Sequence, residues 1–194
     1  MTAPWNFWYH VSSNTKSTWL HGDRRGFRTR HHREHIEGDY RIPPPPDRYE
    51  AKLRRSKALL KEPPVVLTFE QCLIACRTMA EAFQFHAIWF ADIAVGPNHF
   101  HVLAQFPPDR FMANGRPILD PAMHFSGIAK KESARRLSTM GMRPQGHTWG
   151  KKSHPVPVEN EDHFAYLRDV YIPGHVDEGA AVYSIHIAAH QDSS

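Results

Sequence analysis

The chain has 194 residues, of which 41% are hydrophobic and 23% charged, the proportions of a folded protein rather than a disordered one. Lys plus Arg number 24 against 20 Asp plus Glu, a formal net charge of +4, which permits a polyanionic partner without requiring one. No apolar run approaches the ~20 residues of a transmembrane helix, and Met1 to Trp5 lacks the basic-then-apolar order of a secretory signal. A cytoplasmic protein that does not contact the membrane is therefore expected.

In chain order, Asn6 to Ser13 is aromatic and β-branched and reads as a strand. From Asn14 to Pro64 the composition shifts: eleven Lys or Arg face five Asp or Glu between Arg24 and Lys57, and Pro43 to Pro46 form a stiff segment. Asp47 to Leu60 reads as a short basic helix, but the stretch holds too few apolar residues for a core of its own. Residues 14–64 are thus expected to be an arm on a single domain that spans 1–194. Thr68-Phe-Glu-Gln71 has the spacing of a capping box. Apolar residues then recur at Phe69, Cys72, Leu73, Cys76, Ala80 and Phe83 with the period of an amphipathic helix.

His86 to Val95 and His99 to Phe106 read as two strands, and Gly96-Pro97-Asn98 as the turn of an antiparallel pair. Asp120-Pro121 offers an N-cap with proline at the first helical position, and the helix should run to about Met140, before Gly141. Thr148 to Val158 is extended and broken by proline, Asn160 caps a last helix through Phe164, Leu167 and Tyr171, and Ala180 to Ala188 closes as a strand. The order predicts an α+β fold of ferredoxin-like type, an antiparallel sheet with helices on one face.

Two cysteines, Cys72 and Cys76, lie four apart on the same helix and read as small buried hydrophobes rather than half of a zinc site. Among 15 histidines, most need no special role. His99 and His101 differ because residues two apart on a strand share a face, so both imidazoles can reach one metal ion. By spacing alone, two partly exposed strand residues would look the same.

The context of that pair resembles a known family. A strand, then a Pro-Asn-His turn, then His-hydrophobic-His running into an apolar strand is the signature of the HUH single-tyrosine transposases of bacterial insertion sequences, including the REP-associated tyrosine transposases. Ala87 to Gln105 (AIWFADIAVGPNHFHVLAQ) is similar to it, with Gly96 where the family usually carries a larger residue. The resemblance takes in Tyr9-His10-Val11 and most of Thr68 to Val182, and leaves out the arm. It implies the HUH endonuclease type of ferredoxin-like fold and a single-strand DNA transposase that nicks and rejoins DNA through a 5′-phosphotyrosine. It also implies a divalent metal ion, Mg²⁺ or Mn²⁺, and hairpin or repeat ends as the DNA partner, with monomer and homodimer both open.

The family also needs a nucleophilic tyrosine on a C-terminal helix and a third metal ligand one turn later. Tyr171 and His175 stand four apart, a spacing that puts both on one side of a helix. The resemblance makes Tyr171 the nucleophile, with Tyr166 in reserve, and His175 the third ligand beside His99 and His101. Pro173-Gly174 intervenes, and both residues disfavour a helix interior; a helix ending at Ile172 would leave His175 to be placed by a turn.

The residue types suit this chemistry. Imidazole nitrogens favour Mn²⁺, Co²⁺ and Zn²⁺ over Mg²⁺, and a cation near a phenol lowers its pKa from ~10 toward a usable phenoxide. Lys130, Lys131, Arg135 and Arg136 form a basic cluster that can meet DNA phosphates, or else a solvated helix face. Exposed members of Trp5, Trp8, Trp19, Phe27 and Trp149 can stack on unpaired bases, and Arg24 to Arg33 is a second candidate contact. Two rival readings stand beside the enzyme. One is an inactive or domesticated copy that binds nucleic acid without cutting it. The other is a non-haem iron enzyme using His99, His101 and Asp92, which suffers from too few strands for the barrels that usually carry such sites.

Overall fold

The computed structural model describes residues 5–23, 48–107, 112–113, 116–142, 144 and 146–185. Phe27, the Arg24 to Arg33 run, Pro43 to Pro46 and the end of the Ala180 to Ala188 strand beyond 185 lie outside them.

The first strand forms as β1, Trp8–Asn14. A short helix, α1, spans Glu50–Ala58 and buries none of its residues. The parts of the arm on either side of 24–47 lie against the body through backbone hydrogen bonds, Lys16 N–H to Thr148 O at 3.0 Å and Val65 N–H to Lys16 O at 2.9 Å. Gly22 has φ +93° and a Cβ there would meet the Leu53 backbone nitrogen at 2.5 Å, so only glycine lets the arm lie on the first turn of α1.

Helix α2, Phe69–Phe85, starts at the expected capping box: the Thr68 hydroxyl accepts from Gln71 N–H at 3.3 Å and the Gln71 side chain accepts from Thr68 N–H at 2.7 Å. Strands β2 (Phe90–Val95) and β3 (His99–Gln105) form the expected antiparallel hairpin, closed by Gly96 N–H to His99 O at 2.8 Å. A two-stranded ribbon, β4 (Met112–Ala113) with β5 (Arg116–Pro117), precedes α3, Pro121–Thr139. Asp120 caps α3 by accepting from Met123 N–H at 2.9 Å. Strand β6 (His154–Pro157), helix α4 (Glu161–Tyr166, capped by Asn160) and strand β7 (Ala181–Ser184) complete the order.

The result is an α+β fold on a five-stranded sheet of order β6-β1-β3-β2-β7, antiparallel at every pairing. Alternation along each strand sorts the core into two layers. On one face, Val11, Ile93, Val95, Phe100 and Val102 pack against α2 and α3 through Cys76, Met79, Phe83, Ala129 and Leu137. The two long helices therefore share a face, as expected. The opposite face carries Trp8, Ala94 and Leu103, covered by Phe164, Leu167 and Ile172 of the C-terminal helical segment. That cover is an addition to the one-face arrangement read from the sequence.

Strand β2 is buried along its whole length because both of its faces are roofed and β3 and β7 flank it. Cys72 and Cys76 lie inside the α2 layer as free thiols, and burial pushes the Cys76 thiol up to about 12, so they are inert packing groups. Among the described residues no helix is long and apolar enough to cross a membrane.

Candidate metal centre and tyrosine

His99 and His101 lie on the β3 face that carries Leu103, the face covered by the C-terminal segment. That segment is helical throughout but not uniform. α4 leads into a π turn, Leu167–Tyr171, in which Ile172 N–H bonds Leu167 O, then an α turn at Ile172–Gly174 and a 3₁₀ turn at His175–Glu178. Pro173 brings no N–H, and the widened turn just before it accommodates the missing bond without breaking the helical path. Gly174 keeps helical angles, φ −57° and ψ −22°, so the chain carries straight on into His175. Gly179, at φ +81°, then ends the segment and sends the chain into β7.

This path sets Tyr171 and His175 over the strand pair. The His175 ring stacks on His101 with centroids 4.4 Å apart and planes within 5°, and meets His99 at 5.0 Å. One ring nitrogen from each of His99, His101 and His175 lies within 4.8 Å of the others. Asp92, the carboxylate of the iron reading, is buried on β2 and is not part of this group. The Tyr171 ring stands edge-on to the cluster, 5.1 Å from His175, 5.4 Å from His101 and 5.4 Å from His10. Tyr166 is 43% exposed, and its ring lies 6.2 Å from that of Tyr171.

Two residues beyond the expected set join the site. His10 of β1 presents Nε2 to His101 Nδ1 at 2.8 Å, and Glu178 presents Oε2 to His175 Nδ1 at 3.1 Å. Tyr9-His10-Val11 belonged to the resembling segment, yet nothing in its spacing marked His10 as a partner of His101. Glu178 follows His175 by three residues, a spacing that a 3₁₀ turn brings to one side, but the sequence offered no reason to pair the two. Asn98 of the turn hydrogen-bonds His99 Nδ1 through its Oδ1. Gly96 lies beside that ring: a Cβ there would stand in van der Waals contact with the His99 ring at 3.4 Å.

Burial holds His101 well below the usual imidazole range, with the neighbouring imidazoles adding to the effect, and pulls His10 down to about 4. Neutral imidazoles are the form that binds metal. His175 Nε2 is buried and makes no hydrogen bond to any described residue. A buried ring nitrogen without a hydrogen-bond partner, among three imidazoles, fits a divalent ion of the Mn²⁺, Co²⁺ or Zn²⁺ kind better than Mg²⁺.

The basic cluster separates. Lys131, Arg135 and Arg136 are exposed on α3, on the far side of the sheet from the histidines, where Arg135 pairs with Glu132 at 2.8 Å and Arg136 with Glu81 at 3.0 Å. Lys130 corrects the expectation of an exposed phosphate contact. It is 8% exposed, and its Nζ donates to the Ser13 hydroxyl at 3.2 Å, because the α3 turn that carries it packs against β1 and β6. Trp8 and Trp149 likewise belong to the core, Trp149 donating its indole N–H to the Ser133 hydroxyl at 2.9 Å, whereas Trp19 is 42% exposed.

Burial lowers the Lys130 ammonium from 10.5 to about 8. Between those values the unfolded chain holds more protons than the folded one, so this group makes stability rise with pH there. Lys130→Met is expected to stabilise the fold at pH 7 by about 1–3 kcal/mol. The advantage should shrink as pH approaches 10. Denaturant unfolding of both proteins at the two pH values checks this, and an advantage independent of pH would refute it.

No protein-family model matches the chain, and no curated protein matches it. Among solved structures, the chain is similar to a REP-associated tyrosine transposase bound to a REP hairpin, at 11% identity and a TM-score of 0.46, covering 92% of this chain and 72% of that one. That degree of likeness assigns no residue roles.

Proposed function

We propose that this chain is a metal-dependent enzyme that nicks and rejoins single-stranded DNA, as a transposase does, with Tyr171 as nucleophile and His99, His101 and His175 as the metal ligands. The observation that carries the reading is the convergence of the three imidazoles with the Tyr171 ring at their edge. It joins strand β3 to a helical segment some seventy residues later, and both belong to the motif resemblance read from Ala87 to Gln105 and from Tyr171 to His175.

A divalent ion bound there would neutralise charge on a scissile phosphate and favour the phenoxide form of a nearby tyrosine. The residues themselves do the rest. Burial holds His101 well below the usual imidazole range, so it meets the centre as a neutral ring, and His175 brings a buried Nε2 that makes no hydrogen bond to any described residue. Tyr171 is fixed by packing against His10, His101 and His175, so its hydroxyl need not be gathered from many rotamers before reaction.

Attack by the Tyr171 oxygen forms a bond to phosphorus and breaks the bond to the 3′-oxygen. The phenol proton is lost and the 3′-hydroxyl is released. The phosphotyrosine keeps the energy of the broken ester, so a later 3′-hydroxyl can reseal the strand without ATP. Lys131, Arg135 and Arg136 lie on the opposite face, and in this proposal they contact phosphates of DNA that extends beyond the scissile site.

The test is incubation of the protein with labelled single-stranded hairpin DNA and duplex DNA, each with Mn²⁺ or Mg²⁺, followed by denaturing electrophoresis. A protein–DNA adduct formed on single strands and dependent on metal supports the enzyme. Binding without any cleavage supports the inactive, nucleic-acid-binding reading. Cleavage without an adduct would point to a nuclease that uses water.

A further inference from the structure

We infer that the sheet face between the histidine cluster and the edge strand β6 is a track for single-stranded DNA beside the scissile phosphate, lined by Ser12, Asn14 and His154 and flanked by Lys151 and Lys152. The track deepens the function proposed above and rests on that reading for the nature of its ligand, whereas its layout follows from strand register.

Residues directly opposite each other in an antiparallel pair project from the same face. Strand β1 sets Ser12 opposite His101 and Asn14 opposite His99, and β6 sets His154 opposite the same Ser12. His101, Ser12 and His154 therefore form one row across three strands, and His99 and Asn14 form a second beside it. Neighbouring strands lie about 4.8 Å apart, which puts the His154 backbone about 10 Å from that of His101. Elsewhere this face is covered, where Phe164, Leu167 and Ile172 pack with Trp8, Ala94 and Leu103. Ser12 and Asn14 are only half-buried and His154 is exposed, so the row runs out from the histidine cluster to the open edge of the sheet.

The charge of this region suits a polyanion. No Asp or Glu occurs from Trp5 to Gly22, from His99 to Gln105, or from Met142 to Val158, the segments that build it. Lys151 and Lys152, just ahead of His154, are exposed and pair with no carboxylate among the described residues. Two glutamates come near but are engaged: Glu62, beside Gly146, is held by Lys16, and Glu178 by His175. On the far face, by contrast, Arg135 and Arg136 are each already paired with a glutamate. Lys, Ser and Asn are side chains that bind DNA phosphate and sugar, and an exposed imidazole offers a surface on which an unpaired base stacks.

The edge itself disfavours a peptide strand as occupant. Val158 N–H turns inward to Trp8 O at 2.9 Å, so by alternation Pro155 and Pro157 stand where outward N–H groups would be. The outer edge of β6 thus lacks the donors that a further strand would need.

Fluorescence anisotropy with short fluorescein-labelled oligo(dT), in chelator so that nothing is cleaved, tests the track. Each phosphate contact to a single strand contributes about 0.7 to the slope of log affinity against log salt. The double variant Lys151→Ala, Lys152→Ala should lower that slope by about 1.4 and weaken binding about 10–25-fold at about 0.1 M salt. Lys151→Arg, Lys152→Arg should bind like the wild type, and His154→Ala should cost at least about fivefold through the lost stacking surface. Arg135→Ala, Arg136→Ala removes the same charge from the far face and should leave binding of the short strand close to wild type. Lysine-to-alanine variants that bind like the wild type, or equal weakening by the lysine and arginine pairs, overturn the track and leave the adduct chemistry standing. Weakening by the lysine pair alone, in a protein whose wild type forms no metal-dependent adduct, upholds the track and overturns the enzyme.

Discussion

Tyr171→Phe is expected to abolish the covalent protein–DNA adduct, with a rate loss above about a thousandfold, while binding of single strands and of metal stays close to wild type. The ring that packs beside His10, His101 and His175 remains, so the fold loses little. Only the oxygen that would bond to phosphorus is gone. Tyr166→Phe should keep the adduct, because Tyr166 is 43% exposed and its ring lies 6.2 Å from that of Tyr171, which itself stands beside the histidines. Mass spectrometry of a tryptic digest of the trapped adduct decides between them. A nucleotide carried on the Tyr166 peptide would transfer the role.

The second large effect is expected from His101→Ala. His101 is the centre of the cluster: its ring meets His10 at 5.0 Å, His99 at 4.9 Å, Tyr171 at 5.4 Å and His175 at 4.4 Å. Removing it leaves two imidazoles facing an enlarged space. Losing an outer partner alone costs about 10–100-fold in metal affinity, so losing this ligand should cost more than about a hundredfold.

For the wild type, Mn²⁺ at a hundred times its dissociation constant stabilises the folded state by about 2.7 kcal/mol, which raises the melting temperature by about 5–10 °C. His101→Ala should show no such rise and no strand cleavage, and His99→Ala should behave in the same way. A metal-dependent rise retained by either variant would remove that residue from the site.

The elements that were legible in the sequence are those set by neighbours in the chain. Thr68 and Gln71 close a capping box within one turn, Asp120 and Asn160 bond N–H groups three residues on, and Gly96-Pro97-Asn98 turns one strand directly into the next. The common face of His99 and His101 follows from the two-residue period of a strand and needs no tertiary information. The continuity through Pro173 and Gly174 was not legible. Helix propensity counts against both residues, and it is the packing of Leu167 and Ile172 under the sheet that holds the segment helical across them.

The remaining features were decided by contacts between distant residues. His10 reaches His101 across 91 positions because β1 pairs with β3 in a register that sets the two on one face. Lys130 sits one residue before the exposed Lys131, and in the sequence the two looked alike. Only the seating of α3 against β1 and β6 sends one into the interior and leaves the other in water. By itself the sequence determined where helices and strands begin and that two histidines share a strand face, since caps, turns and periodicity act over a few residues. Which residues meet across the sheet, and which face each helix covers, was settled by the tertiary structure, because burial and register are properties of the whole packed chain.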